Sequence, residues 1–276
     1  MVAACLTGCD RPVEIIAHRG ASHDAPENTL AAVMLGWQRN ADVEVDIHLT
    51  ADNRLVVIHD KDTHRTAGQK LIVAQTRSEE LRKLDVGRFK SEDFAGEKIP
   101  FLEEVLETIP PRKKLYVEIK SGPETVPFLE QAIHASGKQA QIVIIGFDLD
   151  TVALAKERMP RIPVYWLKST EKEKMSRKYI PHDASLIQTA KDKGLDGLNV
   201  HFAGVTEEFA RAVRASGLGL YVWTVDDPAE ARRLAGLKVD GITTNRPAWL
   251  REQLAAPQTS KPGPDTSPEP QPSTKD

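Results

Sequence analysis

Short β-branched runs alternate with stretches of helical spacing along most of the chain, the pattern of βα units laid on a parallel sheet. The runs that read as strands are Glu14–Ala17, Asp42–Leu49, Leu55–Ile58, Leu115–Ile119, Ile142–Ile145, Pro163–Leu167, Gly197–Val200, Gly219–Thr224 and Gly241–Thr244. That is one strand more than an eight-stranded barrel holds. Leu55–Ile58 is the surplus one, because Ala51-Asp52-Asn53 before it is short and turn-rich and suits a hairpin return better than a parallel crossover. Helix signals agree with this layout. Leu30, Val33, Met34 and Trp37 fall at helical spacing after Asn28-Thr29, and Asn40 closes the pattern; Asp227-Pro228-Ala229-Glu230 puts a carboxylate at the N-cap, proline next and glutamate two further on. The favoured fold is α/β, a TIM (β/α)8 barrel over residues 13–255, with the insertion from Asp60 to Pro100 forming a small lid over the barrel mouth. A doubly wound open sheet is the runner-up, but no glycine-rich phosphate loop follows the first strand.

Composition narrows the setting. The 276 residues, 40% hydrophobic and 28% charged, suffice for one such domain. A formal net charge of −3 without a long Lys/Arg run argues against nucleic acid and for a small soluble ligand. The two cysteines, Cys5 and Cys9, exclude a disulfide framework and a thiolate zinc site. Leu6-Thr7-Gly8-Cys9 resembles a bacterial lipobox, so residues 1–12 read as the remnant of a lipoprotein signal with Cys9 as a lipid anchor. The apolar run before Cys9 is nevertheless short for a signal and lacks basic residues, which keeps a plain, unprocessed N-terminal segment open. Periplasm, membrane-anchored lipoprotein and cytoplasm all remain open as locations, as does the oligomeric state. Residues 256–276 are rich in Pro, Ser and Thr and read as a disordered tail.

The chemistry sits at the ends of the apolar runs, where a barrel keeps its active site. His18-Arg19-Gly20 follows the first run, Glu44 and Asp46 lie in the second, His59-Asp60 follows the third, and Glu118-Ile119-Lys120 ends the fourth. Side chains two apart on a strand share a face, so Glu44 and Asp46 both point into the mouth while Val45 packs outward. Carboxylates pushed together repel unless a cation sits between them. Glu44, Asp46 and Glu118 form a hard, oxygen-only set that suits Ca²⁺ or Mg²⁺, with Mn²⁺ as a third choice, better than Zn²⁺. The bland alternative for Glu44 and Asp46 is a solvated strand face. His18 and His59 each close an apolar run, and together they can pass one proton in and another out during transfer at phosphorus. The whole set suits metal-assisted cleavage of a phosphodiester. A barrel aldolase or isomerase with Lys120 as base or Schiff-base amine competes with it.

These clusters, with Pro26-Glu27-Asn28-Thr29, Leu84-Asp85-Val86-Gly87, Ile99-Pro100-Phe101-Leu102-Glu103-Glu104, Trp223-Thr224-Val225 and Asp240-Gly241-Ile242-Thr243, resemble the glycerophosphodiester phosphodiesterase family from about Ile15 to Leu250. The resemblance implies Glu44, Asp46 and Glu118 as metal ligands, and His18 and His59 as the acid and base pair in unassigned order. It implies Arg19 and Lys120 on the phosphoryl oxygens, Glu27 and Asn28 as supports of the loop and the ligands, and Trp223 against the glycerol or alcohol part of the substrate or as a barrel-filling aromatic. Enzymes of this kind hydrolyse a glycerophosphodiester to glycerol 3-phosphate and an alcohol through attack of the substrate's own 2-hydroxyl. A related lyase acting on lysophospholipids, or a lipoprotein that binds glycerophosphodiesters without turnover, are the alternatives. The chain departs from the family at His48, which shares the face of Asp46 and reads as a polar rim residue, at His64, and at Asn245, where aspartate is frequent.

Overall fold

A computed structural model describes residues 12–256, so the lipobox-like Cys9 segment and the Pro/Ser-rich tail from Pro257 lie outside the described residues. Eight parallel strands close into a barrel: β1 (Glu14–Ala17), β2 (Asp42–Leu49), β4 (Leu115–Ile119), β5 (Ile142–Gly146), β6 (Val164–Lys168), β7 (Gly197–His201), β8 (Gly219–Trp223) and β9 (Gly241–Thr244), with β1 pairing both β2 and β9. The ninth, β3 (Leu55–Val57), runs antiparallel to β2 outside the ring. It is the strand that the short Ala51-Asp52-Asn53 turn marks as a hairpin return. Helices α1 (Leu30–Gln38), α4 (Leu102–Glu107), α5 (Val126–Ser136), α6 (Leu149–Arg158), α7 (Ser185–Asp192), α8 (Glu207–Ala215), α9 (Pro228–Gly236) and α10 (Pro247–Ala255) surround the barrel, while α2 (His64–Ala67) and α3 (Ser78–Leu81) belong to the insertion.

Local chemistry starts these helices where the pattern predicts. Thr29 Oγ1 accepts from the Ala32 amide at 3.2 Å and donates to the Pro26 carbonyl at 2.7 Å, which stops the loop and starts α1. Asp227 Oδ1 does the same for α9 through the Glu230 amide at 2.8 Å.

Alternation along the strands divides the apolar residues into two cores. Val43, Val45, Ile47, Val117, Ile144, Val200 and Val222 point outward and pack under the helices. Each such buried aliphatic contributes about 1.5–3 kcal/mol. Ile16, Tyr116, Val143, Ile145, Tyr165, Leu167 and Tyr221 point inward and fill the barrel. Three of them form a tyrosine layer. Tyr165 stacks on Tyr221 at 4.6 Å between ring centroids, Tyr116 leans on Tyr221 at 5.9 Å, and the Tyr116 hydroxyl donates to Glu14 Oε2 at 2.9 Å. The rings need Gly241 beside them, since a Cβ there would lie 2.5 Å from the Tyr221 ring.

The insertion builds a third, small core from Val56, Ile58, Val73, Leu81, Leu84, Val86 and Ile99. It grips the loop between β1 and α1 through Arg65 on Glu27 and through Lys90 Nζ on the Ser22 carbonyl at 2.8 Å. It thus stands at the mouth on the β1–β2 side.

Candidate active site

Strand register brings the carboxylates together. Asp46 on β2 lies directly across from Glu118 on β4, and Glu44 is two residues earlier on the same inward face. Ligand oxygens of Glu44, Asp46 and Glu118 all lie within 4.8 Å of one another, although the three residues are buried. Glu44 Oε2 accepts from the Arg19 amide at 2.8 Å, but Oε1 is buried with no hydrogen-bond partner. That orphaned oxygen and the all-oxygen donor set fit a divalent cation.

The electrostatics support the same fit. Burial, with Asp46 and Glu118 adding repulsion, pushes the Glu44 carboxyl well above its ordinary range. Burial and Asp46 likewise raise Glu118 to about 7 against the pull of Lys120. Asp46 goes the other way: burial would raise it, but Arg19 and Lys120 outweigh that and hold it low. Arg19 Nε is 3.4 Å and Lys120 Nζ 3.5 Å from its oxygens, and Lys120 also donates to Glu118 Oε1 at 2.7 Å. Lys120 is partly buried, yet these carboxylates outweigh that burial and raise its pKa, which favours the ammonium form.

The loop after β1 is shaped by backbone as much as by side chains. Arg19 has φ 54° and Asn28 φ 59°, both in the left-handed region. Gly20, at φ 77°, packs so closely on α1 that a Cβ would meet the Ala32 carbonyl carbon at 2.4 Å. The turn aims the Arg19 amide at Glu44, and Arg19 Nη1 donates to Glu27 Oε1 at 2.9 Å. Asn28 clamps Asp46 twice, donating from Nδ2 to Oδ2 at 2.8 Å and accepting the Asp46 amide at 3.2 Å.

The two histidines are braced differently. Asn245 donates its Nδ2 and amide hydrogens to Asp226, at 2.5 and 2.9 Å, so its Oδ1 must face His18, 2.7 Å from Nδ1. Ser22 Oγ donates to the same oxygen at 2.9 Å. Nδ1 of His18 therefore carries hydrogen and Nε2 keeps its lone pair. Burial, reinforced by Arg19, lowers the His18 pKa to about 4. His59 instead donates from Nδ1 to the carboxylate Asp60 Oδ1 at 2.7 Å. Asp60 is in turn bonded by Arg65 at 2.7 Å; Arg65, helped by His59, holds it at about 2.

His18, Arg19, Glu44, His59, Glu118 and Lys120 line one half of a cavity at the mouth, and Ile145, Phe147, Leu167, Asn199, Trp223 and Thr243 line the other. Two of the predicted ligands, Glu44 and Glu118, both histidines and both cations thus share this cavity. Asp46, Glu27 and Asn28 stand behind it. Trp223 faces the cavity, its Nε1 donating to the Asn199 carbonyl at 3.1 Å and its ring edge-on to Phe147 at 5.6 Å. His48 is not a rim residue. It is buried, with Nε2 on the His59 carbonyl at 3.1 Å and Nδ1 on Ser121 Oγ at 3.3 Å, a brace for the His59 backbone. Beyond His59, no side chain of the insertion lines this cavity. Sequence reasoning passed over Asn199, Phe147, Asp226 and Arg65, and it treated Asn245 only as a departure.

Known proteins share this architecture. Two glycerophosphodiester phosphodiesterases resemble the chain along most of its length: that of Caldanaerobacter subterraneus at 33% identity over 245 residues, covering 86% of this chain and 95% of the relative, and that of Bacillus subtilis at 30% over 252 residues, covering 84% and 83%. The crystal structure of glycerophosphodiester phosphodiesterase from Agrobacterium tumefaciens superposes with a TM-score of 0.71 at 26% identity, covering 87% of this chain and 99% of that one. An Oleispira antarctica phosphodiesterase, solved in complex with the product sn-glycerol-3-phosphate, shares the fold with a TM-score of 0.80 at 24% identity, covering 89% and 98%. Residues 18–249 match the glycerophosphoryl diester phosphodiesterase family, from His18 into the last helix, and the chain belongs to that family.

Proposed function

We propose that the chain is a divalent-cation-dependent hydrolase that converts glycerophosphodiesters to glycerol 3-phosphate and an alcohol, with residues 13–255 carrying the activity. The observation that carries this reading is the meeting, at one cavity, of a buried three-carboxylate cluster, two members of which line it, with two histidines whose protons are fixed by different partners. Membership of the family and the product named for the Oleispira antarctica phosphodiesterase support the substrate class.

Glu44, Asp46 and Glu118 would hold the cation, which supplies Lewis acidity at a phosphoryl oxygen when bound. Arg19 and Lys120 add fixed positive charge where negative charge grows in the transition state. His18 is the base: neutral above about pH 4, with Nε2 unprotonated, it takes the proton of the substrate's 2-hydroxyl as that oxygen attacks phosphorus. His59 is the acid: held by Asp60, it protonates the departing alcohol oxygen. The P–O bond to the alcohol breaks as the bond to the 2-oxygen forms, leaving a cyclic glycerophosphate. Water then opens the ring with the two roles exchanged, His59 taking its proton and His18 returning one to the 2-oxygen. Nucleophile and phosphorus already share one molecule, so the site need only hold a reactive conformer.

A pair of braced histidines has no use in a protein that only captures its ligand, which disfavours the binding-lipoprotein alternative. The test is release of glycerol 3-phosphate from glycerophosphocholine, glycerophosphoethanolamine and glycerophosphoglycerol, with and without chelator. Turnover that disappears on chelation and returns with Ca²⁺, Mg²⁺ or Mn²⁺ is expected; turnover indifferent to chelation would end the cation assignment.

A further inference from the structure

Asn199 lies on β7 at the inner face, between Leu167 of β6 and Tyr221 of β8 in register, and its side chain is 2% exposed. Its Oδ1 is buried and has no hydrogen-bond partner, although acceptors so placed are almost always paired in folded proteins. Two neighbouring donors are committed elsewhere. The Trp223 indole N–H is committed to the main-chain oxygen of Asn199, and the Tyr221 hydroxyl sits down in the tyrosine layer, 3.5 Å from that of Tyr165. The half of the cavity wall that Asn199 joins also carries Ile145, Phe147, Leu167 and Trp223, with Thr243 at its edge. The missing donor must arrive with a ligand.

The chemistry of that donor is narrow. A carbonyl oxygen cannot hydrogen-bond a phosphate oxygen without a proton between them, and phosphate is better served by Arg19 and Lys120 across the cavity. Apolar walls around one acceptor suit CH₂ groups carrying a hydroxyl. The reacting 2-hydroxyl belongs with His18 in the charged half, so the group left for Asn199 is the primary hydroxyl. We propose that Asn199 is a positioning residue that accepts a hydrogen bond from the non-reacting primary hydroxyl of the glycerol moiety and so makes the site selective for glycerol among diol phosphodiesters. This rests on the proposed function and adds to it the residue that reads the glycerol.

The experiment compares two substrates: the glycerophosphodiester that the wild type turns over best, and its 1-deoxy analogue, which keeps the 2-hydroxyl but lacks the primary one. The wild type should prefer the intact diester in kcat/KM by at least about tenfold, because a site built to bond a hydroxyl discriminates strongly against its loss. In Asn199→Leu and Asn199→Ala the preference should collapse to within about threefold. Asn199→Leu, close in volume and free of the buried unpaired acceptor, should match or exceed the wild-type thermal midpoint, which separates lost selectivity from lost folding. A preference equal to that of the wild type in either folded variant overturns the assignment of Asn199 alone. A wild type that releases no glycerol 3-phosphate from any intact diester overturns the reading of the whole site, and this one with it.

Discussion

The two halves of the barrel mouth are built from the same kind of strand yet carry opposite chemistry. Around β1, β2 and β4 every inward position near the rim is charged or ionisable, and each side chain is fixed by at least one partner: Asn28 on Asp46, Lys120 on Glu118, Asn245 on His18. Around β5 to β8 the corresponding positions are Ile145, Phe147, Leu167 and Trp223, with the single amide of Asn199 among them. The first half stores electrostatic strain, since Glu44 and Glu118 are pushed above their ordinary ionisation by burial and by the Asp46 charge. The second stores little and shapes the space. On the roles proposed above, reactivity and selectivity fall to different strands, so substitutions should fall into two classes.

The largest effects belong to the charged half. His18→Ala and His59→Ala should each lower kcat by about 10²–10⁴-fold with circular dichroism unchanged; near-wild-type turnover in either would remove that residue from proton transfer. Asp46→Asn should cost a comparable factor and also abolish the response to added cation, read by titrating Mg²⁺ or Ca²⁺ into the chelated protein.

Next comes the strain itself. Without a cation, Glu44 and Glu118 hold protons more tightly folded than unfolded, so that contribution to stability is present at low pH and is lost as pH rises above the ordinary glutamate range, for Glu118 through about 7. Glu44→Gln removes one of the repelling charges. It should raise the thermal midpoint of the chelated protein at pH 8 by about 2–8 °C, from about 1–3 kcal/mol, while eliminating activity. A midpoint lower than wild type would contradict the strained carboxylate set.

Protons and the cation compete for Glu118, which gives a signature in pH. At limiting cation the acid limb of kcat/KM should lie near 7, and saturating cation should carry it downward toward the value near 4 at which His18 gains a proton and stops serving as a base. A limb that ignores cation concentration would separate Glu118 from the ion.

The brace behind His18 should matter less than the ring. Asn245→Leu is expected to lower kcat by about 10–100-fold, the range typical of groups that orient a catalytic or ligating side chain. Smallest are changes to the apolar wall: Phe147 is half open to solvent, and Phe147→Ala should raise KM severalfold with kcat nearly intact. An equal fall in kcat would mean that the apolar half takes part in the chemical step.

Much of this was legible in the chain because barrel strands are short, β-branched and locally determined. Glu44 and Asp46 could be placed on one face by their spacing alone, and the turn before Leu55 identified the strand that stays outside the ring. Partners of the histidines were not legible. His18 meets Asn245 across 227 positions of sequence, a contact created only when β9 closes the barrel against β1. Arg65 reaches Glu27 across 38 positions because the insertion has a small core of its own and presents the guanidinium from it. His48 was misplaced for the opposite reason. Alternation puts it on the face of Asp46, but β2 outruns its neighbours there, and Ser121 and the turn at His59 cover the ring. Asn199 carried no signal at all, since one amide in an apolar strand looks the same whether it is satisfied or waiting.

The tyrosine layer also sets the order of traffic. With three interlocked rings corking the lower end of the barrel, the vessel has one door, and whatever enters last must leave first. On the proposed mechanism the alcohol is freed as the cyclic ester forms, so it departs before glycerol phosphate exists. Accumulated glycerol phosphate should then compete with incoming diester for the same passage, whereas added alcohol should not.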